Sequence, residues 1–145
     1  RGRGMTYNEK LAYLRSYRQQ EHHIDTLLAE AERWRSRAKA MTAHYGAAGG
    51  KGGSTGFPGA VEKVLELEGQ IEQEIDAIMT QRQIIGLAIQ SLRDQRYQDV
   101  LSLHYQAGLS IQKVAAHLHY EEKYVYKLRR KAIKALPLER FLHAE

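Results

Sequence analysis

The chain of 145 residues contains no cysteine. That excludes disulfides and thiolate zinc sites, and it fits a reducing compartment. Proline occurs only twice, against an ample supply of Leu, Ile, Ala, Glu, Gln, Lys and Arg. This balance favours helix throughout, so an all-α protein is expected. No apolar run approaches the roughly 20 residues that cross a bilayer, and no signal peptide is visible. A cytoplasmic protein with no membrane partner is the expectation. Arg1–Gly4 precede the first methionine, Met5, and are set aside as an expression remnant.

Signs of catalysis are also missing. There is no Ser-His-Asp order, no nucleophile elbow and no pair of carboxylates set in a pocket, so an enzyme is not expected. The seven histidines do not assemble into a ligand set. His22 and His23 are adjacent and point apart on a helix, while His117 and His119 flank a turn with no Asp or Glu at ligand spacing. No metal and no cofactor are expected. The glycine-rich stretch Gly46–Gly59 lacks the GxxxxGK[ST] pattern, because Lys51 is followed by glycines. It reads as a flexible loop that lets the chain reverse, not as a phosphate cradle.

What is present is helical periodicity and an uneven distribution of charge. Hydrophobic residues make up 43% of the chain and charged residues 27%, enough for a core and for solubility. Residues 6–45 read as one long helix, capped by Thr6 or Asn8 and with Glu9 in its first turn. Tyr17, Ile24, Ala31, Ala38 and Tyr45 recur every seven residues. Gln20, Leu27, Trp34 and Met41 stand three residues further on, which makes a coiled-coil seam with one polar break. Residues 60–92 form the second long helix, with Val64, Ile71, Ile78, Ile85 and Leu92 as one stripe. Val61, Ile75 and Ile89 are expected to fill the second stripe, interrupted by Glu68 and Arg82. Two narrow stripes suit an antiparallel hairpin over residues 5–93. Such a hairpin has a thin core, so a homodimer forming a four-helix bundle is expected. Gly69 and Gly86, inside the second helix, mark a close approach or a bend.

Net charge is +5 with a pI near 9.5, but its placement says more. Lys123, Lys127, Arg129, Arg130, Lys131 and Lys134 fall in twelve residues that hold no acid. The second long helix instead carries Glu62, Glu66, Glu68, Glu72, Glu74 and Asp76. One end of the chain is thus suited to a polyanion and the other is not.

Residues 94–136 are expected to form a three-helix DNA-binding domain, followed by a tail at 137–145 that docks or frays. Gln95–Gln106 is one short helix ended by Gly108. Ser110 caps a helix over Ile111–Leu118, and a final helix runs from about Glu121 to Leu136 before Pro137. Val114, Ala115 and Leu118 face Val125, Leu128 and Ala132, and the small Ala115 lets the two axes approach. The short connection makes a helix-turn-helix, with its second helix suited to a major groove of double-stranded DNA. The base-edge candidates are Glu122, Lys123, Tyr126 and Lys127, since lysine donates to guanine and glutamate accepts from cytosine. Arg129, Arg130, Lys131 and Lys134 are phosphate candidates, joined by Lys113 from the preceding helix. Tyr124 is assigned to core or hinge packing.

Gly108–Leu136 resembles the promoter-recognising region four of sigma-70-type sigma factors. The resemblance rests on Gly108-x-Ser110, Val114-Ala115, Leu118, the Val125 and Leu128 pair, and the closing Ala132–Leu136. Leu101–Tyr105 looks like that family's leucine-rich helix. Over most of its length the chain is similar to small phage-encoded regulators of the RinA and ArpU late-gene activator type. The resemblance implies a DNA-binding transcription regulator acting at the nucleoid of a bacterial host, with RNA polymerase as a second contact. It also carries two departures, His119 where glycine is usual in the turn and Glu121 where serine or threonine usually caps. A small terminase-like packaging protein, or an adaptor that binds RNA polymerase instead of DNA, are the rival readings.

Overall fold

The computed structural model describes residues 4–48 and 56–142, and the side chains of 41–58 lie outside that description. The loop expected at Gly46–Gly59 and the end of the tail at 143–145 therefore fall largely outside the described residues. Every described element is helical: α1 (Tyr7–Ala48), α2 (Gly56–Gln90), α3 (Gln95–Leu101), α4 (Ile111–Leu118), α5 (Glu122–Ala135) and α6 (Leu138–Leu142). The fold is all-α, and no described helix is long and apolar enough to cross a membrane.

The start of α1 is fixed by a reciprocal cap. The Thr6 amide donates to Glu9 Oε1 at 2.9 Å, and the Glu9 amide donates to Thr6 Oγ1 at 3.1 Å. Two orphan N–H groups are satisfied at once, so Thr6 and not Asn8 is the cap.

The chain divides into two compact units, Gln20–Ala77 and the combination of Arg1–Gln19 with Ile78–Glu145. Within Gln20–Ala77 the two helices run antiparallel. His23 Nε2 lies 3.4 Å from Glu74 Oε2, and twelve residues further along α1 Arg35 pairs with Glu68. Ile24, Leu27 and Ala31 on α1 and Ala60, Val64, Leu67 and Ile71 on α2 are all buried. Here the expected second stripe of α2 is corrected. Val61 and Ile75 are 37% and 39% exposed, while Leu67 and Ala60 are inside. Leu67 stands three residues after Val64 and Ala60 four before it, whereas Val61 and Ile75, three before Val64 and Ile78, are left on the flank; Ile89, the third residue of the expected stripe, is buried. The expected break at Gln20 is exposed. Trp34 is half-buried, with the Arg37 guanidinium 4.6 Å from its ring centroid.

The other unit corrects the expected boundary at residues 93 and 94. The first turns of α1 and the last turns of α2 cluster with the helix-turn-helix. The physical reason lies in long-range bonds from α1. Lys10 Nζ donates to the Lys134 carbonyl at 3.0 Å. Arg18 donates to the carbonyls of His104, Gly108 and Leu109 at 3.2–3.3 Å. Arg82 on α2 donates to the Tyr17 hydroxyl at 2.7 Å. Leu14, Tyr17, Ile85, Ala88 and Leu101 are fully buried in this unit. Gly86 marks a close approach, since an added Cβ would stand 3.0 Å from Gln106 Nε2. Gly69 has open space around it.

The expected single helix over Gln95–Gln106 is also corrected. It is α-helical to Leu101 and then widens into a π-helical turn over Ser102–Gln106, closed by the Ala107 amide on the Ser102 carbonyl at 2.9 Å. The widened turn carries His104 and Tyr105, adjacent in sequence and both buried. Beyond α5 the tail docks. Leu136 and Leu138 are fully buried, and α6 follows.

Candidate nucleic-acid interface

Helices α4 and α5 are held together by a core that sequence periodicity makes visible. Val100, Ile111, Val114, Ala115, Val125 and Leu128 form one buried cluster, with Tyr97, Leu103, Leu109, Leu118, Tyr120 and Tyr124 packed against it. Ser110 caps α4, its hydroxyl accepting from the Lys113 amide at 3.2 Å.

The turn between the helices closes on His119, which adopts the left-handed conformation with φ 61° and ψ 41°. The His119 amide donates to the Ala116 carbonyl at 3.3 Å, and the Tyr120 amide donates to the Ala115 carbonyl at 2.9 Å. This is the paired bonding of a Schellman cap, a geometry that glycine adopts most easily. Histidine therefore occupies the glycine position without changing the turn. Glu121 takes the N-cap backbone of α5, φ −77° and ψ 147°, with no side-chain capping bond. Its charge still complements the positive end of the helix.

The turn presents one face of α5 outward. Lys123, Lys127, Arg130 and Lys134 are exposed and recur at intervals of four, three and four residues. That spacing aligns them on the side opposite Val125, Leu128 and Ala132. The row is about 16 Å long at 1.5 Å per residue. Glu122 and Tyr126 flank it on one edge and Lys131 on the other, all exposed, with Tyr126 at 48%. Lys113 is exposed on α4. All four base-edge candidates are thus on the surface, although Glu122 and Tyr126 sit at its margin.

Arg129 departs from the other phosphate candidates. It lies on the inner side of α5, half-buried, with its Nε enclosed and without a hydrogen-bond partner. Its guanidinium carbon is 5.5 Å from the Tyr126 ring centroid. Tyr124 packs as expected. It meets Tyr120 edge-on at 5.0 Å, and its hydroxyl accepts from Arg96 Nη1 at 2.7 Å. Arg96 also grips Asp94 at 2.7 Å, and this hydrogen bond holds the Asp94 carboxyl below its ordinary range.

Four contributors lie outside the sequence expectation: Lys10, Arg18, Arg96 and His104. Lys10 had a signal. It stands seven residues before Tyr17, in phase with Ile24 and Ala31, and is only 6% exposed. His104 Nδ1–H donates to the Leu109 carbonyl at 2.7 Å, and since a carbonyl only accepts, that nitrogen carries the proton. Burial pushes the imidazole pKa down to about 4, and the cations of Arg18 and Arg129 push the same way. Burial likewise raises the Tyr105 phenol. Among the described residues no group of three or more metal-ligating side chains occurs.

Residues 60–137 match the model of a family described as a protein of unknown function (DUF1492). The chain belongs to that family. The matched stretch takes in nearly all of α2 and the whole helix-turn-helix, and leaves out α1. No curated protein and no solved structure matches the chain.

Proposed function

We propose that the protein is a DNA-binding transcription regulator that reads double-stranded DNA through α5 and acts by binding, without catalysis. The observation that carries this is the outward row of Lys123, Lys127, Arg130 and Lys134 on a helix held by a short turn after α4. Four cations on one exposed face cannot be a core, and none of them has a carboxylate in salt-bridge reach among the described residues. Such a face suits the phosphates and guanine edges of a major groove. Lys123 and Lys127, nearest the start of α5, take the base-reading role together with Glu122 and Tyr126. Arg130, Lys131, Lys134 and Lys113 take phosphates. The role in phage late-gene regulation rests on the resemblance of Gly108–Leu136 to sigma region four and of the chain to RinA- and ArpU-type regulators.

The same proposal includes pairing of two copies through the hairpin of Gln20–Ala77. In that unit Leu28, Val61, Leu65 and Ile75 are 48%, 37%, 63% and 39% exposed. Several large apolar side chains on one short hairpin favour a covering surface, and a second copy supplies it. Two copies would then read two half-sites.

Selection of bound duplexes from a randomised pool by purified protein, with the mass measured in solution, tests the proposal. A recurrent motif with twofold symmetry and a dimer mass support it. A pool that enriches nothing removes the DNA reading and favours RNA polymerase as the partner. A ring larger than a dimer favours the packaging reading.

A further inference from the structure

Two seams run side by side along α2. Ala60, Val64, Leu67 and Ile71 belong to the first and are buried. The second starts one residue later, and its apolar members are exposed. Its positions are Val61, Leu65, Glu68, Glu72, Ile75 and Met79, at intervals of four, three, four, three and four. That spacing keeps one face toward a neighbouring helix. Leu65 and Met79 are 63% and 59% exposed, more than any other large apolar side chain among the described residues. On α1, Leu28 is exposed as well, seven residues before Arg35 and on the same face. Arg35 pairs with Glu68, so Leu28 stands on the flank of the hairpin that carries the second seam.

The second seam is symmetric about Gln70. Val61 and Met79 stand nine residues from it, Leu65 and Ile75 five, and Glu68 and Glu72 two. A stripe that reads alike in both directions fits its own copy turned end for end, since a twofold contact pairs residue i with j and j with i. A partner of another kind imposes no such symmetry. The acids choose between the two ways of laying α2 on its copy. Arg35 holds Glu68, while Glu72 has no cation in salt-bridge reach among the described residues. In a parallel pair two Glu72 carboxylates would meet with no cation beside them, and they repel. Turned end for end, each Glu72 meets a Glu68 that brings Arg35 with it.

We propose that two copies pair by laying α2 antiparallel on α2, with the twofold axis passing at Gln70. Leu65 then packs on the partner's Ile75 and Val61 on the partner's Met79, while the Arg35–Glu68 pair reaches the partner's Glu72. Leu28 adds apolar surface from α1 to the same contact. This rests on the pairing of two copies proposed above and fixes its helix, its direction and its register.

The chain has no cysteine, so introduced thiols are the only ones present. The test is mild oxidation of Leu65→Cys, Ile75→Cys and the variant carrying both, with the solution mass of wild type and a thermal melt of each variant to check the fold. Positions 65 and 75 are about 15 Å apart on one helix, too far for a disulfide within a chain. The double variant is expected to become a covalent dimer, and each single variant to stay uncross-linked. Leu65→Glu is expected to raise the dimer dissociation constant at least about tenfold. Single variants that cross-link as readily as the double one show a parallel pair, which overturns the inference and leaves the dimer reading standing. A wild-type dimer whose double variant does not cross-link, or that Leu65→Glu leaves equally tight, pairs through another face and has the same consequence. Wild type that stays monomeric at every concentration overturns both.

Discussion

Lys10 and Lys134 meet across 124 positions of sequence, the ammonium of one donating to the carbonyl oxygen of the other at 3.0 Å. Lys134 is in the last turn of α5, where carbonyls have no partner within the helix. A cation there also answers the negative end of the helix. With Arg18 holding the carbonyls of His104, Gly108 and Leu109, α1 fastens the helix-turn-helix at two places.

Lys10→Met keeps the apolar stem and removes the donor. It is expected to lower stability by roughly 1–3 kcal/mol, the cost of leaving a carbonyl without its charged donor. Denaturant unfolding reads this directly. A variant as stable as wild type would show that water replaces Lys10 at no cost.

His104 makes the fold sensitive to acid. Its folded pKa is pushed down to about 4, below the ordinary 6.5. The unfolded state therefore takes up the proton first as pH falls. Stability is undiminished above about pH 6.5 and is lost progressively from there down to about pH 4. At pH 5 the loss from this group is about 2 kcal/mol relative to pH 7.5. His104→Asn, whose amide still donates to the Leu109 carbonyl, is expected to flatten that part of the profile. Parallel pH profiles of wild type and His104→Asn across this range would sink the assignment.

His119 holds a left-handed backbone that a side chain disfavours. His119→Gly is expected to raise stability by up to about 1 kcal/mol, because the steric cost of φ > 0 disappears and part of it returns as glycine's greater freedom when unfolded. His119→Val is expected to lower stability, since a β-branched residue is worse there. Melting temperatures of the two variants on opposite sides of wild type are the expected result, and equal shifts would contradict it.

The helix-turn-helix was legible because its signals are local. Ser110 before Ile111, Ala115 at the crossing and Pro137 after Leu136 each act within a few residues. Val114, Val125 and Leu128 are buried as their spacing implies. The second stripe of α2 was misread because Val61 and Ile75 are as apolar as Leu67. Periodicity alone does not say which side of Val64 turns inward, and the burial of Leu67 beside the exposure of Val61 and Ile75 shows it. The π-helical turn at Ser102–Gln106 leaves no residue pattern of its own. The fastening by Lys10 and Arg18 depends on contacts about 90 to 120 positions apart, and a lysine near a helix start reads as solvated even where the heptad phase puts it inside. The inward turn of Arg129 was missed for a related reason, since charge in a basic window does not show which side of α5 each residue occupies.

The central claim is that the outward face of α5 reads DNA. Binding of wild type, Lys127→Ala and Lys134→Ala to a selected duplex and to an unrelated one, at several salt concentrations, tests it most directly. Lys127→Ala is expected to cost about 1–3 kcal/mol on the selected duplex and less on the unrelated one, narrowing their ratio. Lys134→Ala is expected to weaken both alike and to lower the salt slope by about 0.9. Affinities and slopes that stay at wild-type values in both variants would contradict the account.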